Sequence, residues 1–401
     1  MKSYSILFAD PDKNVHDGHR RIIKVLKPDW SVAFAINGRE AMTKINLLRP
    51  NVLVAELGMK LENGEDLIKA VQQVYPEIIR IVLSSEPDGQ SEEVLRATQS
   101  AHRFLAKPFK GELLVEQIEK AGNLRRLLDN PELLEIVGGI PYLPSLPNLY
   151  FELVKAIESP LVSLDEIGEI IARDVSMTTR ILHLVNSAFF GLPRKVSNPQ
   201  TAVILLGLNV IKSLVCYVKL FFAAPDNVLP GLSLDSLWAH SSLAARLSKE
   251  IATDLQGSPQ VLEEAFLAGM LHDIGKLLLT EHPRYYQHIL GKIKNQHEQA
   301  LAEAEYENFG TSHAEIGAYL LGLWGLPDPV VEAVACHHRP SQLQLASSTV
   351  MIATHLANAL LCKVENQPVD FDPKILAESK IKKHLPSWEK KALNYIRETK
   401  T

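Results

Sequence analysis

Short apolar stretches at Ser5–Ala9, Ser31–Ala35, Val52–Ala55, Ile78–Leu83 and Ala101–Leu105 recur through the N-terminal part of the chain. Most are short, apolar and rich in β-branched residues, which is the pattern of strands buried on both faces. Between them, Val15–Leu26, Gly38–Leu48, Glu65–Val74 and Glu92–Thr98 keep helical spacing. Strand and helix in regular succession predict one doubly wound α/β domain with a five-stranded parallel sheet. In such a sheet, function sits beyond the carboxyl ends of the strands. Those ends carry Asp10 and Asp12, then Glu56, then Ser84 and Ser85, then Lys107–Pro108.

A last helix of this unit, Gly111 to Leu128, leads into Asp129–Asn130–Pro131. Proline suits a first helical turn and breaks an interior, so a domain boundary falls here. The proline-punctuated stretch Ile140–Pro147 comes next, and strand patterns then vanish. Leu153 and Ile157, then Ile167, Ile170 and Ile171, then Ile181, Leu182 and Val185 recur at helical intervals. The second part therefore reads as all-α. The expected units are 1–125, a connecting helix over 126–139, a helical domain over 140–365 and a helical tail over 366–401. No flexible Gly/Ser linker separates them, so a defined packing between the parts is expected.

Composition narrows the function classes. With 46% hydrophobic and 22% charged residues among 401, the chain can bury large cores, and long disorder is not expected. Cys216, Cys336 and Cys362 have no pairing pattern, which excludes a disulfide scaffold and suits a reducing cytoplasm. The run Ile6–Ala9 stops at Asp10, too short for a signal sequence, and Leu214–Ala224 is interrupted by Lys219. No membrane association is expected. Residues 1–130 carry 19 Lys and Arg against 18 Asp and Glu, and the remainder carries 23 against 29, so neither part is the basic body that grips nucleic acid. The tail lysines, Lys380, Lys382, Lys383, Lys390 and Lys391, read as a solvated helix face.

Acids, a hydroxyl and a lysine at strand ends are the parts that aspartyl-phosphate chemistry needs. Residues 1–125 resemble a response-regulator receiver domain of flavodoxin-like fold. The resemblance puts Asp10 on the first metal-binding acid, Ser84 on the switch hydroxyl and Lys107–Pro108 on the Lys-Pro pair, usually a cis peptide. Two departures stand out. The phospho-acceptor position is Glu56, not Asp, and the second acid of the usual pair is Pro11, with Asp12 next door as a partial substitute. A glutamate carboxylate is displaced by a methylene from in-line geometry. Its length instead lets it reach Lys107 or Ser84. The expectation is a pseudo-receiver with no phosphoryl transfer at Glu56 and with Mg²⁺ binding weakened or absent. Whether Glu56 mimics an activated state or only neutralises Lys107 stays open.

The helical part carries histidines. His272–Asp273–Ile274–Gly275–Lys276 comes after the apolar run Ala265–Leu271, and neighbouring His and Asp on a helix can lean toward one metal if another helix supplies a third ligand. His240 lies in the helical stretch Leu237–Ile251, and His313, His337–His338, His355 and Asn358 come later. This part resembles an HDOD domain, related to the HD phosphohydrolases. The resemblance rests on Leu143–Pro147, Arg173–Thr178, Val185–Ala188, Ala202–Gly207, the His272–Asp273 segment, His313–Gly317, Trp324–Pro327 and His337–His338. It implies that His240, His272 and Asp273 match three of four metal positions, with Asn358 in place of the final Asp. His313, His337 and His338 would form a second group. Asparagine offers an oxygen but no charge, which weakens a hard divalent cation. The Gly-Tyr-Pro signature of related cyclic-di-GMP phosphodiesterases is absent after His338, where the chain reads Arg339–Pro340–Ser341–Gln342.

Two functions are compatible with these residues. The favoured one is a cytoplasmic signalling protein whose HDOD-like domain binds a protein partner without turnover, with a small nucleotide ligand and a homodimer left open. The alternative is a metal-dependent phosphohydrolase acting on a nucleotide or cyclic nucleotide. Cys336 reads as a buried helix cysteine, Asn186–Ser187 as a local helix end, and Trp238 and Trp324 as core or interdomain anchors.

Overall fold

The computed structural model describes residues 4–85, 97, 100–124, 130–139, 147–159, 162–186, 195–212, 234–280, 289, 298–342, 348–365, 369 and 371–399. The N-terminal unit runs β1 (Ser5–Ala9), α1 (Lys13–Leu26), β2 (Ser31–Ala35), α2 (Gly38–Leu48), β3 (Val52–Glu56), α3 (Leu67–Val74), β4 (Ile79–Ser84), β5 (Arg103–Ala106) and α4 (Gly111–Leu124). All strand pairs are parallel, in the order β2-β1-β3-β4-β5. The strand order reverses direction at β1 and β3, which opens a crevice at their carboxyl ends. Asp10 comes directly after β1 and Glu56 closes β3, so both acids stand at that crevice.

Alternation along each strand builds two cores. Ile6, Phe8, Val54, Ile81 and Leu105 face one side with Leu114 and Ile118 of α4. Leu7, Leu53, Val82 and Phe104 face the other with Ile45 of α2 and Val71 of α3. Successive side chains in a strand point to opposite faces, and helices cover both, so the runs can stay apolar throughout. The expected strand over 101–105 begins later, at Arg103, because Ala101 is still in the turn, its N–H donating to Ala97 O at 2.9 Å. The helix expected over Glu92–Thr98 lies almost entirely outside the described residues, as do residues 125–128 and 214–224.

Beyond α4 the chain is helical. It continues through α5 (Pro131–Gly139), α6 (Pro147–Glu158), α7 (Leu164–Ala172), α8 (Val175–Val185) and α9 (Pro199–Lys212), which breaks at Gly207. Next come α10 (Leu234–Asp254), α11 (Pro259–Leu271), α12 (Ile274–Thr280), α13 (Glu298–Phe309) and α14 (His313–Leu323). Last are α15 (Asp328–Cys336), α16 (Thr349–Val364), α17 (Pro373–Ala377) and α18 (Ser379–Thr399). No strand occurs among the described residues of this part. The final helix belongs to its core: Trp388 is wholly buried among Leu247, Ile251 and Leu360, and its indole N–H donates to Asp254 at 2.8 Å. Lys380, Lys382, Lys383 and Lys390 are exposed, whereas Lys391 pairs with Glu250 at 2.9 Å.

A buried seam joins the two parts. Arg80 of β4 and Arg103 of β5 are 1% and 7% exposed. Arg80 donates to Gly138 O at 2.6 Å, and Arg103 to Gly322 O at 2.7 Å and Leu323 O at 3.3 Å. These are last-turn carbonyls of α5 and α14, where a helix presents unsatisfied acceptors and the negative end of its dipole. Each guanidinium is thus hydrogen-bonded to a helix end, while Glu77 for Arg80, and Asp328 and Glu116 for Arg103, act on its charge without a direct bond. Trp324 stacks on His183 with centroids 5.1 Å apart and carries Arg180 over its face at 4.5 Å.

Candidate functional site

At the crevice, Lys107 lies where β5 gives way to a cis Lys107–Pro108 peptide. Its ammonium bonds Asp10 Oδ2 at 2.9 Å and Glu56 Oε2. Asp10 is 4% exposed, and its other oxygen accepts the backbone N–H of Asp12 at 2.8 Å. Burial opposes the Lys107 charge, but its bonds to Glu56 and Asp10 raise its pKa above the ordinary lysine value. Asp10, Glu56 and Lys107 thus meet at the crevice.

Two other pocket residues do different work. Asp12 caps α1, its carboxylate accepting the Asn14 N–H at 2.8 Å, and the residue is exposed. Asp is a preferred cap because its oxygen satisfies a helix-end donor, and Pro11 leaves it at that position. The hydroxyl that reaches Glu56 belongs to Ser85, at 3.3 Å from Oε1, while Ser84 is wholly buried at the end of β4.

The second site gathers residues from six helices and the turns that join them. His272 and Asp273 lie between α11 and α12, His313 opens α14, His337 and His338 come just after α15, and His240 and Asn358 come from α10 and α16. Gly275 makes the meeting possible, since a Cβ there would lie 1.9 Å from the His313 carbonyl oxygen. Asp273 Oδ1 stands 3.3 Å from His313 Nε2 and 3.9 Å from His337 Nε2, and Oδ2 takes Lys276 Nζ at 2.6 Å. His338 Nε2 meets His313 Nε2 at 2.9 Å. Ligand atoms of His313, His337 and His338 fall within 4.8 Å of one another, and so do those of His240, His272 and Asp273.

The ring orientations are fixed from behind. His272 Nδ1 bonds Gly269 O and His337 Nδ1 bonds Val334 O, each at 2.8 Å. A proton held on Nδ1 by a carbonyl leaves the Nε2 lone pair aimed inward, as metal-ligating histidines require. His337 Nε2 is buried with no hydrogen-bond partner. Glu305 is wholly buried and takes both the backbone N–H and Nδ1 of His313, at 2.8 and 2.6 Å. Burial would lower the His313 pKa, but the Glu305 and Asp273 carboxylates raise it to about 9. For Asp273, burial works against ionisation, yet His272, Lys276 and His313 hold it well below the usual carboxylate range. Burial, then the neighbouring histidines, pushes His337 well below the ordinary imidazole value.

Imidazole nitrogens with one carboxylate suit a borderline divalent cation such as manganese, iron or zinc. The inward lone pairs and the orphaned His337 nitrogen fit such an ion. Asn358 departs from that set: its Oδ1 contacts His240 Nε2 at 3.0 Å. His355 faces elsewhere, bonding His337 O at 2.8 Å and the Asp372 N–H at 3.1 Å. Cys336 is half-buried, outside both groups, with its thiol pushed up to about 12 by burial and then by Glu315 and Glu332. Trp238 donates to Asp174 at 3.2 Å in the core, and Asn186 pairs with Val196. Ser187 lies outside the described residues.

Sequence reasoning missed Glu305, Arg80 and Arg103. An arginine inside the apolar run of β4 was a usable signal, because a buried charge must find partners. Nothing distinguishes Glu305 from the other acids of α13.

The described residues hold no helix long and apolar enough to cross a membrane. The response regulator receiver domain profile matches residues 6–119, and the HDOD domain profile matches residues 143–340. The chemotaxis protein CheY of Thermotoga maritima is 36% identical over 98 residues, which cover 24% of this chain and 80% of CheY. A Treponema pallidum protein is 28% identical over 226 residues, 54% of this chain. The chain spans 42% of that relative's length. Among solved structures, the MmoQ response regulator from Methylococcus capsulatus is 24% identical with a TM-score of 0.47, over 63% of this chain and 93% of that one. The chain belongs to the response-regulator receiver family, and its receiver domain is followed by an HDOD domain.

Proposed function

We infer that the chain is a cytoplasmic signal-transduction protein whose receiver domain does not take up a phosphoryl group and whose HDOD domain acts on a protein partner without turnover. The receiver–HDOD architecture fits signal transduction. The observation that carries the finer reading is the Lys107 ammonium bound to Asp10 and Glu56 together. In a phosphorylated receiver, a lysine would stabilise the phosphoryl oxygens and acids would hold Mg²⁺. Here the lysine neutralises both carboxylates, and Asp12 is engaged as a helix cap. Mg²⁺ binding is accordingly weak in this reading. Incubation with a small acyl-phosphate donor and Mg²⁺, followed by intact mass measurement, tests it. The expected mass is unchanged, and a stable phosphoryl adduct mapped to Glu56 overturns the reading.

The inward-facing Nε2 atoms favour a second reading of the HDOD centre as a divalent metal site. His240, His272 and Asp273 would hold an ion, and His313, His337 and His338 form a second group able to do so. Such an ion supplies positive charge and polarises a bound oxygen. This chain's own groups limit that chemistry. Lys276 already neutralises part of Asp273, and neutral Asn358 holds His240. We read the centre as a structural or ligand-sensing site in place of a hydrolytic one. Elemental analysis of chelator-free protein is expected to find a divalent metal. Protein that stays empty after incubation with manganese, iron and zinc rules this reading out.

A further inference from the structure

We propose that Arg103 of the receiver domain positions His313 of the HDOD centre through helix α14. The inference rests on His313 belonging to that centre, and it adds how the receiver governs it. One rigid element connects the two. The first residue of α14 is His313, and its last two, Gly322 and Leu323, give their carbonyls to Arg103. Eleven helical residues span roughly 16 Å. Both ends of the rod are over-determined. At the N-terminus, Ser312 and Glu315 form a reciprocal capping box, and Glu305 fixes the His313 backbone N–H and ring together. At the C-terminus, Arg103 is held by Gln117, whose Oε1 accepts Nη1 at 2.6 Å. Gly322 allows α4 to pack closely there, since a Cβ would lie 2.5 Å from the end of the Leu124 side chain.

Packed helices with fixed ends move as units, not by bending. A shift of Arg103 therefore displaces the helix end that it caps and, with it, the ring at the other end. The same strand leads to the receiver pocket: β5 runs from Arg103 to Ala106, and Lys107 is the next residue. The ion pair at the crevice and the cap at the seam thus sit at opposite ends of one four-residue strand. Arg80 provides the contrast. It is also buried, but its one bond to a helix end goes to Gly138 of α5, and none of its described hydrogen bonds reaches α14, where Tyr319 acts on it only electrostatically.

The test is histidine side-chain NMR on the full chain, ring-carbon labelled and kept metal-free with chelator. Histidine-to-glutamine substitutions assign the His313, His338 and His384 signals. Arg103→Gln is expected to move the His313 signal by more than its linewidth and to leave His384 in place. Arg103→Lys is expected to restore it in part, because an ammonium still donates to a helix-end carbonyl. Gln117→Ala loosens Arg103 without touching the seam core and is expected to give a smaller shift in the same direction. That variant carries the test if Arg103→Gln does not fold. An unmoved His313 signal in folded Arg103→Gln or Gln117→Ala overturns the proposal. So does an equal shift in Arg80→Gln, which would mean general loosening of the seam. The readout needs no metal, so a failed metal reading would show separately, as a shifted His313 signal in protein that takes up no manganese.

Discussion

Lys107 Nζ lies 2.9 Å from Asp10 Oδ2 while it also holds Glu56, so a single ammonium closes the acidic crevice of the receiver. The pair is largely shielded, with Lys107 21% and Asp10 5% exposed at the side chain. Removing the cation leaves two carboxylates facing one another in a site of reduced polarity. Lys107→Ala is expected to lose about 2 kcal/mol of stability, read as a lower urea midpoint. It is also expected to gain a rise in melting temperature with Mg²⁺ that the parent lacks, because the freed acids can hold the ion. Equal Mg²⁺ responses in both proteins would argue against the filled pocket.

Acid should weaken the seam. His102 and His183 are both pushed well below the ordinary imidazole value, first by burial and then, for His102, by Arg80 and, for His183, by Arg180. The N–H of Arg80 donates to His102 Nδ1 at 3.0 Å, a bond the imidazolium could not accept. A depressed folded pKa means that the unfolded chain binds more protons below about pH 6.5, so stability is full above that pH and falls beneath it. His313, raised to about 9, contributes with the opposite sign, at alkaline pH. The urea midpoint is expected to drop between pH 7 and 5, and the drop should shrink in His102→Gln. A flat profile in the parent would contradict the assignment.

Gly275 has no room for a side chain. Its Cβ would press on the His313 backbone, so Gly275→Ala is expected to cost about 3 kcal/mol and to disturb the histidine centre. Urea denaturation checks the first effect, and manganese affinity checks the second. A variant of unchanged stability would mean that α14 can move aside freely.

Metal should bind the folded form. At ten times its dissociation constant, one ion stabilises by about 1.4 kcal/mol. Added manganese is therefore expected to raise the melting temperature of the parent and to do so much less in His337→Ala, which lacks the orphaned inward nitrogen. Identical responses would place the ion elsewhere.

Much of this was legible in the residues. Apolar runs marked β1 to β4 within a residue or two, because strands covered by helices keep mostly apolar positions, with Arg80 of β4 the exception. The strand-end rule found Asp10, Glu56 and Lys107 for the same reason: the sheet order alone puts those ends together. The capping role of Asp12 was not legible, because a carboxylate beside a metal-binding acid and a helix cap look alike in sequence. The histidine centre was legible as a set but not as a geometry, since which Nε2 atoms face inward depends on carbonyls such as Gly269 O and Val334 O. Arg103 was invisible as a seam residue, because its partners across the seam are backbone carbonyls some 220 residues away, and every residue type has one.

The most direct test of a signalling protein without turnover is hydrolysis of an activated phosphodiester, bis(p-nitrophenyl) phosphate, by protein loaded with manganese. No release of nitrophenol above the buffer rate is expected from the parent, and Asn358→Asp, which restores a carboxylate beside His240, is the variant expected to gain any. Release by the parent that vanishes in Asp273→Ala would contradict the account and make the centre a phosphohydrolase.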